Sequence, residues 1–139
     1  LQAKKPLKST SLMSFKEIAV GDHSFQGKEK PIRLKDLIEN PLISLGQGST
    51  TYEFYSKFFL ENDLVLSPDT EVEVLPLIMN GLGIGFLPEL FVRPVIKEGK
   101  VCQIPLKENI PEREICLVEN HTFPPSIAAD MFKKMLVLK

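Results

Sequence analysis

Short apolar segments alternate with longer amphipathic segments along most of the chain. The apolar segments predict strands, which are buried on both faces where the sequence is continuously hydrophobic. The predicted strands are residues 13–21, ending at Gly21, and residues 42–45, 84–87, 101–104 and 114–118.

The amphipathic segments predict helices, because their apolar residues recur at helical spacing. The first covers 32–40 and ends at Asn40-Pro41; the second covers 51–61, opened by a capping box of Thr50 and Glu53. A third starts at Pro88-Glu89 and is disturbed by Pro94. The last begins at residue 126, with a stripe of Ile127, Met131, Met135 and Leu138.

The segment from 64 to 80 permits two interpretations. In the first interpretation, the segment contains two strands, at 64–66 and 71–74. In the other, Thr70 and Glu73 form a capping box that opens a helix running to Asn80, which the pattern favours. In either case strands alternate with helices, so the sequence predicts an α/β fold with a mainly parallel sheet flanked by helices.

The stretch NGLGIGFLP, at 80–88, raises the possibility of a phosphate-binding loop. A dinucleotide fingerprint runs from strand to glycine turn to helix, whereas here a helix precedes and a strand follows. We therefore predict an architectural role. Gly81 suits the left-handed position that ends a helix, while Gly83 and Gly85 allow close backbone approach.

Composition narrows the class of protein. The 139 residues are 43% hydrophobic and 25% charged with a net charge of -1, which fits one globular domain without a basic surface for nucleic acid. No apolar run is long enough to span a bilayer. The start, LQAKKPLKST, lacks both Met and the apolar core of a signal peptide, so we expect a piece of a longer, cytoplasmic protein. Cys102 and Cys116 fit reduced, buried thiols.

Catalytic and metal-binding chemistry finds little support. Asp22-His23-Ser24 holds triad residue types, but sequence neighbours rarely form a triad, and a polar turn explains them. His121 fits a surface loop, and neither histidine has partners at metal-ligand spacing. Glu71 and Glu73 do not define an acid/base pair. The sequence predicts no enzyme, cofactor or metal site.

The strongest candidate site is Gly48-Ser49-Thr50-Thr51. It combines a glycine turn, three hydroxyls and the free N–H groups of a predicted helix start. Such a place suits a carboxylate or another anionic group. Helix capping alone accounts for one or two of the hydroxyls, so the residues by themselves leave ligand contact open.

Three motifs, in this order and spacing, carry a resemblance: DLIENPLISL, NGLGIGFLPE and REICLVENHTFPPSIAADMF. From about residue 7 to 139 the chain resembles the effector-binding domain of LysR-type transcriptional regulators of bacteria. One departure is SPDTEVEVLPLI, which is a few residues short for the strand and separate capping loop usual in that family.

The resemblance implies a two-lobed domain like a type II periplasmic binding protein, with a small polar or carboxylate effector bound between the lobes. It implies DNA binding through a domain absent from this chain, homo-oligomers and no membrane role. It places effector contacts at Gly48, Ser49, Thr50 and Thr51, which match the family's loop and helix start.

The resemblance also implies a division of residues 1–139 as a partial effector-binding domain. Residues 22–112 would form the second lobe, 13–21 and 113–119 the crossover strands, and 126–139 a helix of the first lobe. Two alternatives remain open from the residues alone. One is a lobe of a solute-binding protein, and the other is a small α/β enzyme.

Overall fold

The computed structural model describes residues 7–71, 73–120, 122 and 126–137. The strands are β1 (Leu7–Phe15), β2 (Glu17–Asp22), β3 (Ile43–Ser44), β4 (Thr70–Glu71), β5 (Gly85–Pro88), β6 (Val101–Ile104) and β7 (Arg113–Asn120). The α-helices are α1 (Leu34–Leu37), α2 (Thr50–Glu61), α3 (Val74–Met79), α4 (Glu89–Lys97) and α5 (Ile127–Val137). None of these helices is long and apolar enough to cross a membrane.

The chain forms two compact units. The larger unit is Lys16–Pro111, and the ribbon unit combines Leu1–Phe15 with Glu112–Lys139. In the ribbon unit β1 and β7 pair antiparallel over their full length, with a register shift between Ser11 and Met13. Helix α5 completes the described part of this unit, and the Lys133 ammonium lies 3.1 Å from a Glu119 carboxylate oxygen on β7.

The larger unit has a three-stranded sheet in the order β5-β2-β6 and a two-stranded sheet of β3 and β4, joined by an isolated bridge. Strand β2 lies between β5 and β6 and runs antiparallel to both, so β5 and β6 share one direction. A parallel bridge joins Leu42 to Ile84, which sets β3 beside β5, and β4 is parallel to β3. Four strands thus run one way and β2 runs the other way between two of them.

Alternate residues of β2 divide the core into two layers, as the two-residue period of a strand requires. Ala19 packs in a cluster with the apolar face of α2, where Tyr55 stacks on Phe86 at 4.5 Å between ring centroids. Ile18 and Val20 face the opposite cluster, which α3 and α4 cover. Helices therefore flank both faces of the sheet, as the sequence predicted.

Three predicted elements have different bounds in the structure. The single strand expected at 13–21 is two strands, β1 and β2, separated at Lys16. The helix expected at 32–40 is reduced to α1: Ile32 forms a bridge with Leu106, and residues 38–40 form a turn and a bend. Pro94 lies inside α4 without ending it.

The N-terminus of helix α1 is capped by a residue that is distant in sequence. Its N-cap Arg33 provides no side-chain bond. Instead the Leu34 N–H donates to both carboxylate oxygens of Glu108, at 2.9 and 3.0 Å, from 74 residues away in sequence. A carboxylate at this end also complements the helix dipole.

The ambiguous segment contains parts of both interpretations. Residues 64–68 have no regular structure, Thr70 and Glu71 form β4, and a helix begins only at Val74. The N-cap is Glu73 without a side-chain hydrogen bond, so the capping box predicted for Thr70 and Glu73 is wrong. Strand β4 has only two residues, which is consistent with a segment a few residues shorter than is usual in the resembled family.

The architectural interpretation of the glycine stretch is confirmed. Gly81 follows α3 with φ 72° and donates its N–H to the Ile78 carbonyl at 3.0 Å. A side chain at Gly83 would collide with the Pro41 carbonyl oxygen, and one at Gly85 would lie 3.0 Å from the Ile43 oxygen. These glycines allow β5 to approach the backbone beside β3.

Candidate functional site

The predicted site lies where β3 passes into α2. Ser49 has extended backbone angles, and its hydroxyl accepts the Tyr52 N–H at 3.0 Å while donating to the Gly46 carbonyl at 2.9 Å. Gly48 has φ 91°, which an L side chain rarely adopts. Ser49 is therefore the N-cap, and the prediction that Thr50 opens a capping box with Glu53 is wrong by one residue.

Each predicted site residue has its own position in this turn. The Ser49 hydroxyl is occupied by the two bonds of the cap. Thr50 is exposed at the first helical position, and its backbone N–H has no acceptor within the described chain. Thr51 is half-buried, and Gly48 is exposed. The structure thus brings all four together, with Thr50 presenting a hydroxyl and an N–H to solvent at the positive end of a helix.

An acidic side chain borders the same turn. Glu71 pairs with Ser44 in the parallel register of β3 and β4 and is exposed. Its carboxylate packs against Gly46, where an added Cβ would lie 3.2 Å from Glu71 Oε2. Local sequence does not reveal this neighbour, since only strand pairing brings residues 46 and 71 together.

A buried polar pair supports α2 from below. The Tyr55 hydroxyl donates to Glu17 Oε2 at 2.6 Å, and Glu17 is only 5% exposed. Such a pair fixes the rotation of the helix, because a buried carboxyl group needs its hydrogen bonds. A charged residue in the apolar segment EIAV was the available sequence signal.

The other sequence candidates form no site. Asp22 caps a single 3-10 turn, His23–Phe25, by accepting hydrogen bonds from the Ser24 hydroxyl and from the Ser24 N–H at 3.0 Å. The Ser24 hydroxyl bond lowers the pKa of Asp22 below its usual value. His121 lies outside the described residues. Among the described residues, no group of three histidine, cysteine or acidic residues could hold a metal ion.

The two cysteines are free thiols, as expected, but both are only half-buried, where the sequence predicted buried side chains. They belong to different units, with Cys102 on β6 and Cys116 on β7. Burial, aided by the charge of Asp22, raises the pKa of the Cys102 thiol. That shift disfavours the reactive thiolate, which fits a structural residue.

The whole-chain pattern matches one family model. The LysR substrate binding domain matches residues 6–137. The chain belongs to this family. A comparison with curated proteins finds no match.

Solved LysR-family regulatory domains share its fold. The effector-binding domain of QuiR in complex with shikimate is 18% identical, with TM-score 0.81, over 99% of this chain and 68% of that one. The Synechocystis PCC6803 CcmR regulatory domain in complex with 2-PG is 13% identical, with TM-score 0.82, over 99% and 69%. The regulatory domain of MetR from N. meningitidis is 13% identical, with TM-score 0.78, over 99% and 68%.

Family membership defines the class of molecule. The chain is part of a LysR substrate-binding domain, the ligand-sensing component of a transcriptional regulator, with the type II periplasmic-binding-protein-like α/β fold. Family and neighbours are regulatory domains rather than members of an enzyme family. The arrangement at Ser49 and Thr50 agrees with that class, because it offers hydrogen-bond donors at a helix start.

Proposed function

We propose that this LysR substrate-binding domain holds a small polar or carboxylate effector at Gly48, Ser49, Thr50 and Thr51, by binding and without catalysis. The observation that carries the proposal is the start of α2. There the exposed Thr50 offers an N–H without an acceptor in the described chain, beside its hydroxyl. Hydrogen bonds to a charged group contribute about 1.5–3 kcal/mol each.

The ligands of the similar domains support this chemistry. QuiR is in complex with shikimate, a hydroxylated carboxylate, and CcmR with 2-PG. Carboxylates are the groups that a helix start with unpaired N–H donors accommodates best. From the shared fold we propose only the class of ligand. The hydrogen-bond donors of Thr50 are the feature of this chain that favours that class.

We assign the parts of the domain as the family resemblance implies. Residues 22–112 form the second lobe, residues 13–21 and 113–119 the crossover strands, and residues 126–139 a helix of the first lobe. The exposed apolar side chains of α5 support this assignment, because a helix that packs on another lobe presents such a face.

The chain acts within a larger, cytoplasmic assembly in this proposal. DNA is bound through a domain absent from this chain, the regulator is a homo-oligomer, and no membrane is involved. The effector shifts the population between two arrangements of the assembly, by as much as its affinity for the two differs. The site at α2 supplies one wall of the binding cleft, so this chain alone binds its ligand weakly.

A titration with sodium acetate at constant ionic strength tests the site. We expect the backbone amide resonances of Thr50 and Thr51 to shift with a millimolar dissociation constant. Thr50→Val removes the hydroxyl but keeps the shape of the side chain, and should weaken binding about tenfold or more, as the loss of one hydrogen bond to a charged group implies.

The matched control is Thr10→Val on β1, the same chemical change in the ribbon unit. It should leave the acetate affinity unchanged. Acetate-dependent shifts that spread over the chain without reaching residues 48–51 would refute the assignment of the site.

A further inference from the structure

Glu71 places a negative charge beside the proposed effector site. Gly46 is the shared neighbour: its carbonyl accepts the Ser49 hydroxyl at 2.9 Å, and a Cβ added to it would lie 3.2 Å from Glu71 Oε2. The parallel pairing of Ser44 with Glu71 fixes this placement at the carboxyl ends of β3 and β4. The carboxylate therefore borders the turn that leads into α2.

Nothing in the described chain neutralises this carboxylate. Glu71 is exposed, and within the described chain it has neither a hydrogen bond nor an ion pair. The acidic residues on α4 and α5, by contrast, include Glu89 and Asp130, each paired with a cation four residues along its helix. The acceptor oxygens of Glu71 are thus available to a ligand.

The two sides of the turn have opposite preferences. The start of α2 favours a negative group, whereas the Glu71 carboxylate repels one and accepts hydrogen bonds. A ligand that carries only a carboxylate satisfies one side and is repelled by the other. A ligand with a carboxylate and a nearby ammonium or hydroxyl group satisfies both.

We propose that Glu71 is a specificity-determining residue that selects acids bearing an amino or hydroxyl donor next to the carboxylate. The inference rests on the proposed function, because it takes Gly48–Thr51 as the carboxylate end of the site. It adds the chemical class of the other end, and excludes plain aliphatic or aromatic acids as good ligands.

Three probes with one carbon skeleton test this selection: L-alanine, L-lactate and propionate. They share a carboxylate and differ in carrying an ammonium, a hydroxyl or only hydrogen at the neighbouring carbon. Amide shifts of Thr50 and Thr51 report binding. We expect alanine to bind about tenfold more tightly than propionate, with lactate between them, since hydrogen bonds to charged groups are the stronger ones.

Glu71→Gln keeps the size of the side chain and removes its charge. In this variant we expect the advantage of alanine to fall to about twofold or less, and propionate to bind more tightly than in the parent chain. The control is Glu73→Gln, which changes the net charge equally at an exposed residue two positions along. It should retain the parental ranking.

Two other outcomes are informative and distinct. If the probes shift Thr50 and Thr51 but Glu71→Gln keeps the parental ranking, Glu71 does not determine specificity, while the proposed site stands. If none of the probes, nor acetate, shifts residues 48–51, the proposed function fails and this inference fails with it.

Discussion

Helices α2 and α5 have similar sequence patterns and opposite environments. On α2 the apolar stripe is buried, with Tyr55, Phe58 and Phe59 at 2%, 3% and 0% exposure. On α5 the stripe is open, with Ile127 at 83% and Met135 at 65% exposure. Helical spacing of apolar residues thus predicts which face of a helix is apolar, but not whether other residues of this chain bury that face.

The largest difference between the two units should appear on removing one aromatic ring from each. Phe59→Ala deletes a fully buried side chain and should lower the free energy of unfolding by about 3–5 kcal/mol. Phe132→Ala makes the same change on α5, where the ring is 59% exposed, and should cost about 0.5 kcal/mol or less. Urea unfolding followed by circular dichroism measures both.

Equal losses from the two variants would contradict this comparison. They would mean that the α5 ring is buried in solution, by a partner that the single chain does not show. Repeating the measurement at several protein concentrations separates the cases, because stabilisation by association depends on concentration.

A second, smaller effect should appear in self-association. The α5 stripe, proposed above to pack on the first lobe, is an exposed apolar surface through which copies of this chain alone would associate. Replacing Met131 and Met135 together by lysine should weaken association about tenfold, equivalent to about 1.4 kcal/mol, in sedimentation velocity. The control replaces Leu60 and Val65, which are exposed apolar residues of the larger unit, by lysine. If the α5 variant still associates and the control variant does not, the contact lies on the larger unit.

The smallest effect should come from acid. The Ser24 hydroxyl lowers the pKa of Asp22, so the folded state favours the charged carboxylate. The resulting stability is present above the ordinary pKa, near 3.8, and is lost as the pH falls through the lower folded value. Ser24→Ala should therefore differ from the parent at pH 6 and converge on it towards pH 3, a window set by the Asp22 pKa.

Ser126→Ala offers the matched comparison in the ribbon unit. Its hydroxyl accepts the Ala129 N–H at 3.1 Å and involves no ionisable group. The cost of this substitution should be the same at pH 6 and pH 3. Thermal unfolding across that range distinguishes the two serines, and parallel pH profiles would remove Asp22 from the explanation.

Local patterns predicted much of the fold. Strand β6 and helix α2 lie at or within one residue of their expected positions, because each has a clear period and a clear boundary signal. The failures share one cause. At Ile32 and at residues 64–66 the outcome depends on which distant strand is available for pairing, and a local pattern contains no such information.

The candidate site also has parts that local sequence predicts and parts that depend on long-range pairing. The turn at Gly48 and the helix start were visible in sequence, since glycine and hydroxyl residues mark them. The neighbour Glu71 was not, because it lies 25 positions after Gly46 in the sequence and only the β3–β4 pairing brings them together. The support that Glu17 gives α2 was hidden for the same reason.

The bond from Glu108 to α1 has a consequence for the order of folding. A helix of four residues is far too short to be stable by itself, because nucleation costs more than so few hydrogen bonds return. The N–H of its first residue bonds to a carboxylate 74 residues later in the sequence. Closing a loop of that length is slower than forming local structure. We therefore expect α1 to form late, after β6 has brought Glu108 into place, and to be among the first elements lost when the chain begins to open.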